Sequence, residues 1–398
     1  VNLYNNVFVF VVCGNDEHIS TLNFSLNYLK KFCLNKIIIV TDLSRNNIEI
    51  QHDTIINHKT PDTYNHHQAS IWLKTSLNRI LPEGPLYCYL DSDVIALNKE
   101  CSNVFNYYKA PITFANDHCN VPQFSPYALN CGCIENFENE KTKFEKAINS
   151  IINHPNYPPD YENNEIRTLF SFLESIANAP IKNIVKLIKL FLSLTLKIKI
   201  NLTKDIAIDP KQKSWLINDF IFPSVFLYRR QIKKNTGYNY SFFKKTWIMP
   251  NKEPLPINKC SHLTEAIKND LNINITNSNW QHWNGGVFLF NSQSHSFMDY
   301  WHKLTIKIFE NKYWKTRDQG TLIASVWQFK LQNHNTLPEE YNFIADFYKP
   351  INYLYTKEYI TAITPKKIIT PRFIHVYHHF GNKKWDLWNI IESILTEK

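Results

Sequence analysis

A chain of 398 residues that is 44% hydrophobic and 14% aromatic has the material for a packed core, which excludes an intrinsically disordered protein. That length fits two ordinary domains or one large α/β domain carrying an insertion. A formal charge of +9 favours anionic partners such as a nucleotide diphosphate or an anionic lipid surface. With no zinc-finger spacing and no RNP-like strand, nucleic acid is set aside.

Val7 to Val12 reads as the first buried strand, and it ends in the turn-forming cluster Cys13-Gly14-Asn15-Asp16. The run is too short for a signal sequence or a membrane span. Ser20 to Phe32 has the apolar spacing of a helix, with Lys30 and Lys31 at its end. Lys36 to Val40 follows as a second buried strand. Strand, helix, strand in this order is a βαβ unit and implies a parallel sheet, on which ligands bind at the carboxyl ends of the strands. Gln68 to Leu81 is expected as a helix, and its Lys74 either faces solvent or points into such a crevice. Leu86 to Leu97 reads as an apolar strand interrupted by Asp91 and Asp93, and Ile112 to Ala115 as another strand.

From Glu138 to Asn277 the pattern becomes mostly helical. Helices are expected over Phe144–Ile152 and Asn164–Ala179, with a break at Tyr157-Pro158-Pro159. The run from Pro180 to Ile200 mixes leucine and isoleucine with Lys182, Lys186, Lys189, Lys197 and Lys199. It is too charged to cross a bilayer. As a basic amphipathic helix it either lies on an anionic membrane or covers an apolar patch. The sheet resumes at Trp283-Asn284-Gly285-Gly286-Val287, and Arg317-Asp318-Gln319-Gly320 opens a further helix. Arg372 to Val376 is a short strand, followed by Tyr377-His378-His379-Phe380-Gly381-Asn382-Lys383-Lys384-Trp385. This divides the chain into 1–137, an insertion over 138–277, and 278–398.

The eight cysteines are scattered. Cys131-Gly132-Cys133 has no second pair at a matching spacing and is not read as a zinc pattern. Cys13 and Cys88 lie in buried strands as small hydrophobes; the set is read as reduced, which favours a cytoplasmic location.

The candidate chemistry centres on Asp91-Ser92-Asp93. Residues i and i+2 of a strand share a face, so both carboxylates can reach one point and suit a hard divalent ion such as Mn2+ or Mg2+. His375 or His378 can supply a third ligand if the terminal strand folds back beside Asp93, with Lys384 placed to meet a phosphate.

Taken together, these motifs resemble, in order, retaining glycosyltransferases of the GT-A fold in the glycogenin and galactosyltransferase group, known as family 8. The ordered set comprises Asn15-Asp16, Lys74, Asp91-x-Asp93, Asn284-Gly285-Gly286-Val287, Asp318-Gln319-Gly320, Leu337-Pro338-x-x-Tyr341-Asn342 and the terminal His, Gly, Lys, Trp cluster. The resemblance implies a Rossmann-like α/β fold with a mostly parallel central sheet and a largely helical insertion. It implies a uridine-linked sugar donor, bound through manganese, and a glycan, lipid-linked or protein acceptor, as in polysaccharide biosynthesis on the inner face of a membrane. By the same resemblance Val12, Gly14, Asn15 and His18 hold the base and ribose, with His18 standing where the family has tyrosine. Asp91 contacts ribose and metal, with Ser92 beside it, and Asp93 contacts the metal. Lys74, Gly381 and Lys384 face the diphosphate or donor sugar, while Asn284, Asp318 and Gln319 line the donor-sugar and acceptor side. The spacing His-x-x-Gly-x-x-Lys runs from His378 to Lys384 without the family's following proline, whereas the strand context Phe373-Ile374-His375 points to His375. A metal-dependent nucleotidyltransferase or phosphotransferase, and a non-catalytic membrane-associated sugar-nucleotide-binding module, are the competing readings.

Overall fold

The computed structural model describes residues 6–154, 164–218, 220–348, 352–356, 359–364 and 367–396. The expected break at Tyr157-Pro158-Pro159 lies outside them. The chain forms two compact units, one of residues 1–131 with 259–398 and one of residues 132–258. The expected insertion of 138–277 overlaps the second unit over most of its length.

The first unit contains nine strands that position the site: β1 (Asn6–Val11), β2 (Lys36–Thr41), β3 (Ile55–Asn57), β4 (Leu86–Leu90), β5 (Val94–Ala96), β6 (Thr113–Asn120), β7 (Gln281–Phe290), β8 (Phe343–Ile344) and β9 (Phe373–His375). Six of them form the central sheet in the order β3-β2-β1-β4-β7-β6. The first four are parallel, and β7 runs antiparallel to both of its neighbours. This is a mixed α/β fold with a mostly parallel sheet.

All six residues of β1 are buried, because both faces of the sheet are covered. Phe8 and Phe10 pack with Leu22, Leu26 and Leu29 of α1 (Asp16–Phe32). Val7, Val9 and Val11 turn the other way, towards Leu73 of α2 (His66–Thr75) and Trp301 of α5 (His295–Lys307), numbering α3 (Val121–Ala128) and α4 (His262–Leu271) between them. Pairing of Val7 with Tyr87 and of Phe10 with Leu90 brings the carboxyl ends of β1 and β4 to the same edge. There, Asn15 caps α1 by accepting a hydrogen bond from the His18 amide at 3.1 Å, and acidic residues occupy the first turn.

A second, small sheet in the order β8-β9-β5 supports that edge from below. Its antiparallel register sets His375 opposite Val94, and the Val376 amide donates to the Asp93 carbonyl at 3.1 Å. Ile95, Phe343 and Ile374 of this sheet are buried with Leu387 and Trp388, which begin the last helix. The terminal strand therefore does fold back beside Asp93.

The second unit differs from the largely helical expectation. It has helices over Cys133–Ile152, Asn164–Asn178, Ile184–Leu196 and Val225–Thr236, but also a four-stranded antiparallel sheet between residues 200 and 223 and a hairpin between residues 239 and 248. Ile206, Ile208, Trp215, Ile217 and Phe222 of the sheet are buried against the second of those helices. Its tight connection forms because the Asp209 carboxylate accepts hydrogen bonds from the amides of Lys211 and Gln212 at 2.9 and 3.2 Å. Among the described residues no helix is long and apolar enough to cross a membrane.

Candidate functional site

Where β1 and β4 end, the first unit holds a cavity of about 650 Å³ lined by Val12, His18, Lys74, Asp91, Ser92, Asp93 and Asp318 among others. Asp91-Ser92-Asp93 is a turn between β4 and β5 rather than part of a strand, closed by the Val94 amide donating to the Asp91 carbonyl at 3.1 Å. The two carboxylates thus converge through a turn and not through a shared strand face, which corrects the route expected from the sequence. Ligand atoms of Asp91, Asp93 and His375 lie within 4.8 Å of one another.

His375 is fully buried, and its Nδ1 pairs with Asn342 Oδ1 at 2.9 Å. Asn342 Oδ1 can only accept, so Nδ1 carries a proton, and in the neutral ring, the form that binds metal, Nε2 carries the lone pair. That Nε2 lies 3.2 Å from Asp93 Oδ1 and makes no hydrogen bond. A buried polar atom without a partner is costly in an ordinary core and is what a metal ligand needs. Gly286 completes the cradle: a Cβ there would stand 2.5 Å from His375 Cε1 and 2.9 Å from Asp91 Oδ2. The residues present fit a divalent cation. His378 is exposed and stands outside this group, its amide bound to Asp346.

Lys74, nearly buried, bridges Asp91 Oδ1 and Asp318 Oδ2 at 3.2 Å each. Burial works against its charge, but the two carboxylates outweigh burial and raise its pKa. Burial likewise acts to raise Asp318 and Asp93, yet Lys74 for the first and His375 for the second leave both below the usual carboxylate range. For His375, burial lowers the pKa and the Asp93 charge more than reverses this. Asp318 owes its place to the first turn of α6 (Arg317–Gln328).

Among the described residues, five carboxylates line the cavity (Glu17, Asp91, Asp93, Asp318 and Glu392) against one lysine. Glu392 is paired outside the cavity with Lys383. The basic charge of the whole chain is therefore not concentrated here, contrary to its simplest reading as a nucleotide-attracting surface.

Not every expected residue reaches the cavity. Gly14 and Asn15 are absent from its lining: the Gly14 amide donates to Asn46 Oδ1 at 2.8 Å, and the Asn15 side chain is occupied by the α1 cap. Gly381 lines the cavity, whereas Lys384 is exposed and does not. Gln319 has both ends of its carboxamide bound to β7, Oε1 accepting from the Gly285 amide at 2.9 Å and Nε2 donating to the Trp283 carbonyl. Asn284 Nδ2 donates to Asp117 Oδ2 and to the Tyr377 hydroxyl, both at 2.8 Å.

Asp117 and Tyr377 were not singled out from the sequence. Burial tends to raise Asp117, but His282, His118 and Asn284 hold it well below the usual carboxylate range. Its neighbours Asn116 and His118 are polar, so no interrupted apolar run marks it in the sequence.

No protein-family profile matches the chain, and no curated protein sequence matches it. Among solved structures, one described as "WbbM bifunctional glycosytransferase apo structure" aligns at a TM-score of 0.39 and 9% sequence identity, covering 99% of this chain and 50% of that one. This chain spans half the length of that protein, and a likeness so distant assigns neither fold family nor activity.

Proposed function

We propose that the first unit is a metal-dependent retaining glycosyltransferase of the GT-A type, taking a sugar from a uridine-linked nucleoside diphosphate to a glycan, lipid-linked or protein acceptor. The observation that carries this reading is the convergence of Asp91, Asp93 and the unpartnered Nε2 of His375 at a cavity large enough for a nucleotide sugar. A diphosphate cannot enter so acidic a pocket unaided, because like charges repel strongly where water is scarce. Asp91, Asp93 and His375 would hold the Mn2+ or Mg2+, which, when bound, offsets the charge on the diphosphate leaving group.

The chain's own residues supply the rest. Lys74, held between Asp91 and Asp318, is the one lysine or arginine among the described residues that lines the cavity, and is placed to meet a phosphate oxygen. Asp318 stays ionised there and can stabilise positive charge developing on the transferred sugar. Asn284 is buried with its carboxamide bound to Asp117, Tyr377 and the Gly286 amide, so in this reading it positions Gly286 and Tyr377 and does not itself meet the sugar. Gln319, bound at both ends to β7, is a positioning residue in this reading.

Attachment to an anionic lipid surface is part of the same proposal. On the helix Ile184–Leu196, Leu187, Leu190 and Leu194 pack into the second unit. Val185, Phe191 and Leu196 are each more than 60% exposed, beside Lys182, Lys186 and Lys189. Exposed apolar side chains flanked by lysines are the pattern of an interfacial helix and not of core packing alone.

The test is a thermal-shift screen of nucleoside diphosphate sugars with and without Mn2+, since a ligand stabilises the state it binds. Uridine-linked donors should raise Tm only with metal, and Asp91→Asn and Asp93→Asn should abolish that shift while keeping the fold. If either variant keeps wild-type metal dependence, the site is misplaced. Release of nucleoside monophosphate and sugar phosphate, instead of free sugar and nucleoside diphosphate, would assign a phosphotransferase.

A further inference from the structure

A second group of metal-ligating side chains lies away from the cavity. Cys131, Cys260 and His262 each offer one ligand atom, and these atoms lie within 4.8 Å of one another. They come from two places far apart in sequence. Cys131 follows α3 and packs against the apolar cluster that α3 shares with α4, while Cys260 and His262 flank Ser261, the residue that caps α4. Val121, Ala128, Leu263 and Ile267 are buried together, so the two helices hold the ligands in place.

The sulfur separation distinguishes the possible occupants. Cys131 Sγ and Cys260 Sγ are 3.9 Å apart. A disulfide brings its sulfurs to about 2.05 Å. Two thiolates on one tetrahedral zinc, each about 2.3 Å from it, stand about 3.8 Å apart. Cys260 has the outer support typical of a metal thiolate: the Leu263 amide donates to Ser125 Oγ at 2.9 Å, which frees that hydroxyl's proton for Cys260 Sγ at 3.0 Å. Negative charge on the thiolates also suits the N-terminus of α4.

We propose that Cys131, Cys260 and His262 form a zinc site separate from the sugar-nucleotide cavity. Cys131 and the segment Cys260-Ser261-His262 escape a spacing search because the second unit intervenes between them in sequence.

The full-length protein, expressed with added zinc and purified under reducing conditions, should contain one zinc per chain by elemental analysis. Exchange for Co2+ should produce a thiolate-to-metal charge-transfer band. Asp93→Asn should leave the zinc content unchanged, whereas Cys131→Ser and His262→Ala should lower it and lower Tm. Should either of these two fail to fold, the wild-type Co2+ spectrum alone decides. Absence of bound zinc and of the charge-transfer band overturns the proposal, as does zinc that is lost in Asp93→Asn, or a Cys131–Cys260 disulfide in the reduced preparation.

Discussion

Gly286 leaves open the space between His375 and Asp91, and Gly286→Ala fills it. The residue is not among those with positive φ, so alanine fits the backbone and the whole effect comes from the new methyl group. That methyl would lie 2.5 Å from His375 Cε1 and 2.9 Å from both Asp91 Oδ2 and Asn284 Oδ1. The imidazole cannot step aside freely, because it is fully buried and tied at Nδ1 to Asn342. Forcing a methyl into such a packed place costs about 1–3 kcal/mol, equivalent to a Tm fall of roughly 1–5 °C for a chain of this size. Displacing a metal ligand or its support should also weaken metal binding by about 10–100-fold. Differential scanning fluorimetry gives the first quantity and calorimetric titration of uridine diphosphate with Mn2+ the second. Gly285→Ala is the matched control. Its methyl would meet the ends of two longer side chains, Gln319 Oε1 at 3.1 Å and Lys74 Nζ at 3.5 Å, so smaller losses are expected. Wild-type metal-dependent affinity in Gly286→Ala would refute the assignment of this cradle.

Three further outcomes are expected. His375→Ala should lose Mn2+-dependent nucleotide binding severely while His378→Ala loses little, measured by the same titration; equal small losses would detach the terminal strand from the site. His302 is nearly buried, and burial with the Arg79 charge holds its pKa down to about 4. The unfolded chain therefore takes up a proton first as pH falls below about 6.5, and stability drops by about 2 kcal/mol between pH 7.5 and 5. Urea unfolding should show this dependence flattened in His302→Asn, and an unchanged slope would remove His302 as the cause. The wild-type protein should bind anionic liposomes at low salt and not neutral ones, each lysine near the surface contributing about 1 kcal/mol. Replacing Lys182, Lys186 and Lys189 by Glu should release it, and a wild type that floats free of anionic liposomes would leave the helix to another role.

Local pattern determined the first elements of the chain, though not the strands between residues 200 and 248. The apolar runs at Val7–Val12 and Lys36–Val40 and the helical spacing up to Phe32 coincide with β1, β2 and α1 to within a few residues. Strand and helix periodicity depend on neighbours two to four residues away, which a sequence displays directly. Tertiary structure decided what those elements bring together. Asp91 and Asp93 converge because a turn and the pairing of β5 with β9 place them, and that same pairing selects His375 over His378 as their neighbour. Lys384, attractive by spacing, is exposed and does not line the cavity, while Asp117 joins Asn284 from a strand paired with β7. Cys260 and His262 reach Cys131 only because α3 and α4 share one apolar cluster. Each of these meetings is a contact between residues far apart in the chain, set by which buried faces pack together, and no local periodicity encodes that choice.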